Sequence, residues 1–146
     1  MRAASDGGGP VDQGAPGPRR PAEEAPAPDD FTSHPAYRGA LRLYGFVFDL
    51  ETKFPDDERE MIYLALKRVS LEVGSFLAAG FGRERGEAGC ELWEQARSRL
   101  MEARHYVLVA QSRYMLDALD VESFGAVYEE VLAGIEGLLA DARRRA

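Results

Sequence analysis

From Pro35 onward apolar residues recur at steps of three and four, and no run alternates with the period of two that a half-buried strand requires. The first stretch predicts a helix over 35–54. Tyr37, Leu41, Tyr44 and Phe48 form its seam, and Ala40, Leu43, Val47 and Leu50 widen the stripe. Pro35 suits a first helical turn, where its missing N–H costs no hydrogen bond. Proline at 55 pushes Phe54 out of the α region, so this helix is expected to end there. The string "PDDERE" opens a second helix. Asp56 or Asp57 can cap its free N–H groups, Asp57 and Glu60 have capping-box spacing, and the acidic turn complements the helix dipole. Its seam reads Ile62, Leu66, Val69, Val73, Phe76 and Gly80, with Gly74 expected to weaken or bend it.

The third segment, over 87–116, repeats without a break: Trp93, Ala96, Leu100, Ala103, Val107, Ala110 and Tyr114. The fourth, from Val121 to about Arg144, continues with Phe124, Tyr128, Val131, Ile135, Leu138 and Ala142. Steps averaging about 3.5 residues keep one seam facing its neighbours, as bundles require. Short links at Pro55, Gly82 and 117–120 favour antiparallel neighbours. The expected fold is all-α: an antiparallel up-down four-helix bundle over 35–146, preceded by a disordered tail over 1–34.

Composition accounts for the tail. Residues 1–34 carry six of the eight prolines and five of the fifteen glycines, and residues 1–30 contain no aromatic, leucine or isoleucine. Such a stretch buries too little to offset roughly 1–2 kcal/mol of backbone entropy per ordered residue. It has no apolar core of a signal peptide, and no later run approaches the ~20 apolar residues of a membrane span. A cytoplasmic protein with no membrane partner is expected. The net charge of −7 and pI near 4.9 argue against coating nucleic acid by charge alone, though not against a local basic face. One cysteine, Cys90, excludes an internal disulfide and a CxxC metal site.

The densest run of glycines, "GFGRERG" at 80–86, lacks the lysine and Ser/Thr of a P-loop, and the residues before it read as helix rather than strand. It is read as an interhelical turn. Gly80 and Gly82 suit a positive-φ helix ending, Gly86 and Gly89 loosen the next start, and Arg83 with Arg85 can attract an anion. Catalysis needs a positioned base, nucleophile or metal. His34 closes the tail, His105 has no Asp or Ser partner by spacing, and Glu102 with His105 has no second copy to complete a bundle di-metal site. No catalytic residue, cofactor, metal or small-molecule substrate is expected.

Two surfaces remain. Arg97 and Arg104 share one line of the third helix, and Arg99, Tyr106 and Arg113 share its neighbour, which makes this the most basic face of the bundle. Arginine beside an aromatic can hold phosphate and stack on a base; equally, these arginines can pair with carboxylates of adjacent helices. Beside the seams lie Met101, Leu108 and Val109 on the third helix and Leu132 and Leu139 on the fourth. They serve either a broad core or a self-association face.

The stretches "FPDDERE", "LKRVSLEVGSFLAAGFGR" and "EQARSRLMEARHYVLVAQSRYML" together resemble the four-helix-bundle protein family first noticed in intervening sequences of bacterial 23S ribosomal RNA genes. The matching positions are Phe54, Pro55, Glu58, Arg59, Lys67, Arg68, Gly80, Phe81, Gly82 and Arg83, then Ala96, Ser98 and Glu102. Phe76 and Ala79 stand where the family usually has Asn and Glu, and Gly74 where it often has proline. The resemblance spans about 37–142. It implies small helical protomers assembled into rings, often pentamers, and a likeness to the accessory protein of diversity-generating retroelements, which binds a reverse transcriptase and RNA. Those accessory proteins are usually basic, whereas this chain is acidic. The expectation is a non-enzymatic, homo-oligomeric adaptor, with an RNA-binding reverse-transcriptase subunit as the alternative.

Overall fold

The computed structural model describes residues 31–83 and 87–145. The expected tail therefore lies outside the described residues except for its last four, and Arg85 and Gly86 lie outside them too. Those last four belong to the helical unit. Phe31 meets Tyr37 edge-on at 4.8 Å and stacks on Phe81 at 6.2 Å.

Among the described residues there are four main helices and no strand: α1 (Pro35–Phe48), α2 (Leu64–Phe81), α3 (Glu87–Ser112) and α4 (Ala118–Arg145). His34 caps α1, its Nδ1 accepting the Ala36 N–H at 3.0 Å, with Pro35 in the first turn. This helix stops six residues before the expected Phe54. Leu50 and Phe54 both turn into the core, and the chain tightens into a 3-10 turn at Glu51–Lys53 to bring them there.

The capping box expected from Asp57 and Glu60 does not form. Pro55 occupies the cap position without a side-chain acceptor, and Asp56, Asp57 and Glu58 fill the first turn. A π-helical turn, Arg59–Tyr63, then leads into α2. Its wider turn resets the helical phase, and Tyr63 packs on Phe54 at 5.2 Å while its hydroxyl donates to the Phe48 carbonyl at 3.0 Å. Gly74 does not interrupt α2.

The third helix ends at Ser112 rather than at 116. Tyr114 there has φ 64, the Tyr114 N–H donates to Gln111, and the Met115 N–H reaches back to the Ala110 carbonyl at 2.9 Å. This is a Schellman ending with a tyrosine where glycine is favoured. The fourth helix starts three residues earlier than expected, because Asp117 and Asp120 cap each other: Asp117 Oδ1 accepts the Asp120 N–H and Asp120 Oδ2 accepts the Asp117 N–H.

Each helix borders two others, in the order α1, α2, α3, α4 and back to α1. One core of Leu43, Val47, Leu66, Val73, Leu77, Leu100, Val107, Val131 and Ile135 joins them, each fully buried. At about 1.5–3 kcal/mol per large apolar side chain, this core is the main source of stability. Its members differ from the expected seams at several positions: Tyr114, expected to close the third seam, is 94% exposed, and Ile62, Trp93 and Val121 are only half-buried against the core. Leu77 rather than Phe76 enters it from α2, and Ala36, Ala40, Leu43 and Val47 rather than Tyr37, Leu41, Tyr44 and Phe48 enter it from α1. The smaller line faces α4 because a Cβ on Gly134 would lie 2.9 Å from Ala36; only glycine lets the two backbones approach that closely.

Candidate functional site

The turn after α2 is not built as expected. Gly82 caps the helix with φ −78, so no positive φ is used there, and Gly80 remains inside α2. The role of Gly80 is closeness. The indole of Trp93 lies where a Gly80 side chain would be, its Nε1 donates to the Leu77 carbonyl at 3.3 Å, and its ring meets Phe81 at 5.2 Å. Arg83 is exposed beside this turn.

The basic face of α3 divides into two flanks. On the side toward α4, Arg97 pairs with Glu136 at 3.4 Å and the Arg104 guanidinium lies 5.6 Å over the Tyr128 ring. On the side toward α2, Arg99 pairs with Glu72 at 2.9 Å and Glu102 at 3.1 Å and lies 5.5 Å over Phe76. These three arginines are held by their own protomer. Tyr106 is half-buried beside His105, and Arg113 is exposed with no ion pair among the described residues. Arg113 is followed by Tyr114, whose side chain is 94% exposed.

The apolar residues expected beside the seams also separate. Leu139 is 1% exposed and belongs to the core, which removes it from any self-association face. Leu132 is half-buried against the core, and Met101 (54% exposed) and Leu108 (39%) project from α3. The contacts of Arg97 with Glu136 and of Arg104 with Tyr128 bracket Met101 and Leu132 at one level, so these two residues share the α3–α4 side.

A second apolar face went unread in the sequence. Leu41 and Phe48 on α1 and Leu64 and Leu71 on α2 are 54%, 50%, 43% and 55% exposed. Lys67 Nζ lies 5.0 Å over the Phe48 ring, and the Tyr37 ring lies 3.9 Å from where a Gly74 side chain would begin, so the two lines face each other across the α1–α2 side. The signal was present: α1 carries two adjacent apolar lines, more than one core contact can cover.

Among the described residues three ionisable sites are perturbed where elements meet, and at one of them burial raises the Tyr63 phenol above its ordinary pKa. Burial pushes the His34 imidazole below its ordinary pKa, partly offset by Asp141. At the other end of the bundle, the hydrogen bond from Lys53 to Asp120, 2.8 Å, raises the lysine pKa against burial, which lowers it. Asp120 is lowered: burial pushes it up, but hydrogen bonds from Lys53 and the Asp117 backbone outweigh that. No described helix is long and apolar enough to cross a membrane. Comparison with protein-family models and with curated proteins finds no match to the chain.

Proposed function

We propose that the chain is a non-enzymatic, ring-forming four-helix-bundle adaptor of the cytoplasm, with five copies as the expected ring. The observation that carries this reading is the exposure of Met101 and Leu108 beside half-buried Leu132 on one side of the helices. Large apolar side chains held together in water mark a surface that another protein covers. The resemblance to the intervening-sequence family supplies the ring and its number. The up-down antiparallel course belongs to the same reading. It is supported by pairs that run in opposite numerical order: Ala36 beside Gly134, Phe46 beside Phe124 and Lys53 on Asp120 between α1 and α4, and Trp93 beside Gly80 and Arg99 on Glu72 between α3 and α2. Absence of an enzymatic role is argued from how the polar groups are used. His34 spends its Nδ1 on a helix cap, and Arg97 and Arg99 spend their charge within the bundle.

Sedimentation equilibrium of the full chain tests this reading. Association at micromolar concentration supports it, and a monomer at high micromolar concentration refutes it.

A second reading, an RNA-binding accessory subunit of a reverse transcriptase, is favoured by one observation. Arg113, with no ion pair among the described residues, stands next to the exposed ring of Tyr114, a combination able to hold phosphate and stack on a base. Titration with structured RNA at two salt concentrations separates the readings. Binding that weakens with salt and is lost in Arg113→Glu favours RNA; no binding at low salt removes it.

A further inference from the structure

We propose that the α1–α2 face receives the α3–α4 face of a second copy of this chain, head to tail. The proposal rests on the self-association reading above and adds which surfaces meet, and in what sense.

The α1–α2 face is apolar around one lysine, with Arg38 and Arg68 beside it on α1 and α2. Leu41, Phe48, Leu64 and Leu71 are exposed around Lys67, whose ammonium lies over the Phe48 and Tyr63 rings at 5.0 and 5.9 Å. Lys67, Arg38 and Arg68 have no ion pair among the described residues. On the matching line of α2, at the spacing 60, 64, 67, 71, the one carboxylate is Glu60, at the end of the face.

The α3–α4 face offers the complement. Met101, Leu108 and Leu132 supply its apolar part. Of its arginines, Arg97 pairs with Glu136, while Arg104 lies over the Tyr128 ring with no carboxylate partner among the described residues. Two carboxylates, Glu122 and Glu129, continue the heptad line of Glu136 along α4 and have no ion pair among the described residues. Cations without an ion pair stand on one apolar face, and on the other the two free carboxylates outnumber Arg104, the one arginine there without a carboxylate partner among the described residues.

Charge decides between the two ways copies can meet. A two-fold contact of the α1–α2 face with itself would bring the same set of cations, Lys67, Arg38 and Arg68, together from both copies, and like charges across an interface are unfavourable. Contact between the unlike faces pairs them. Because α1–α2 and α3–α4 lie on opposite sides of the helix order, one copy engages two neighbours at once. A repeated unlike contact of that kind closes into a ring when its rotation permits.

The test uses full-length chains and analytical ultracentrifugation, with circular dichroism to establish folding. One chain carries Arg38→Glu with Lys67→Glu, the other Glu122→Lys with Glu129→Lys. Each alone is expected to self-associate at least tenfold more weakly than the unsubstituted chain, and an equimolar mixture is expected to recover association at one-to-one stoichiometry, reversed face on reversed face and unreversed on unreversed. If the unsubstituted chain assembles and either reversed chain assembles as tightly, or the mixture gains nothing, this pairing of faces is wrong. Failure of the unsubstituted chain to assemble overturns self-association itself, before any substitution is made. Should a reversed chain lose helix, Leu71→Asp provides an independent probe of the α1–α2 face: the same weakening supports the pairing, and unchanged assembly contradicts it.

Discussion

The indole N–H of Trp93 donates to the Leu77 carbonyl, and the ring covers Gly80 so closely that no side chain fits beneath it. Two helices are fastened at one point by the absence of a methyl group. Gly80→Ala improves helix propensity in α2 but forces the indole out, and overpacking of this kind costs about 1–3 kcal/mol. Urea denaturation followed by tryptophan fluorescence should show a lower midpoint and a shifted native spectrum. Unchanged stability would mean that Trp93 is not fixed over Gly80.

His34 makes folding depend on pH. The unfolded imidazole takes a proton near 6.5, whereas burial in the fold resists it and leaves the folded value lower. Stability from the neutral ring is therefore complete above 6.5 and declines as pH falls toward the lowered folded value. Protonation also removes the Nδ1 acceptor from the Ala36 N–H. His34→Ser keeps a cap acceptor and does not titrate. Relative to that variant, the wild type should lose stability between pH 7.5 and 5; parallel profiles would contradict the assignment.

Tyr114 holds a left-handed backbone with almost no contact to compensate. A glycine there removes the steric penalty, so Tyr114→Gly should stabilise the chain by about 1 kcal/mol. Thermal denaturation checks this. A destabilised variant would show that the ring makes contacts within the protomer.

Leu139 and Met101 separate core from surface. Leu139→Ala should cost about 2–5 kcal/mol, as fully buried leucines do. Met101→Ala should leave monomer stability within about 0.5 kcal/mol, as expected of surface substitutions. Equal losses in chemical denaturation would place Met101 inside the core.

The helices and most of their seams were legible because three-and-four spacing directly records which face is buried. Leu100, Val107, Val131 and Ile135 lie where the spacing put them, fully buried. In α1 the pattern held two candidate lines, and intrinsic hydrophobicity favoured the larger side chains. Packing chose the smaller line, because Ala36 meets Gly134 at a distance that Tyr37 or Leu41 could not accept. The helix ends shifted for local reasons. The reciprocal caps of Asp117 and Asp120 were readable from their spacing, but the left-handed Tyr114 was not, since tyrosine gives no sign of such a turn. The basic face could not be apportioned from one helix alone. Its arginines are committed by Glu72 and Glu136, which lie 27 and 39 residues away in sequence.

Native mass spectrometry of the full chain tests the central claim most directly, because it counts copies. The protomer is 16.1 kDa. A dominant species at five times that mass is the predicted result, and a spectrum of single chains across the micromolar range would contradict the account.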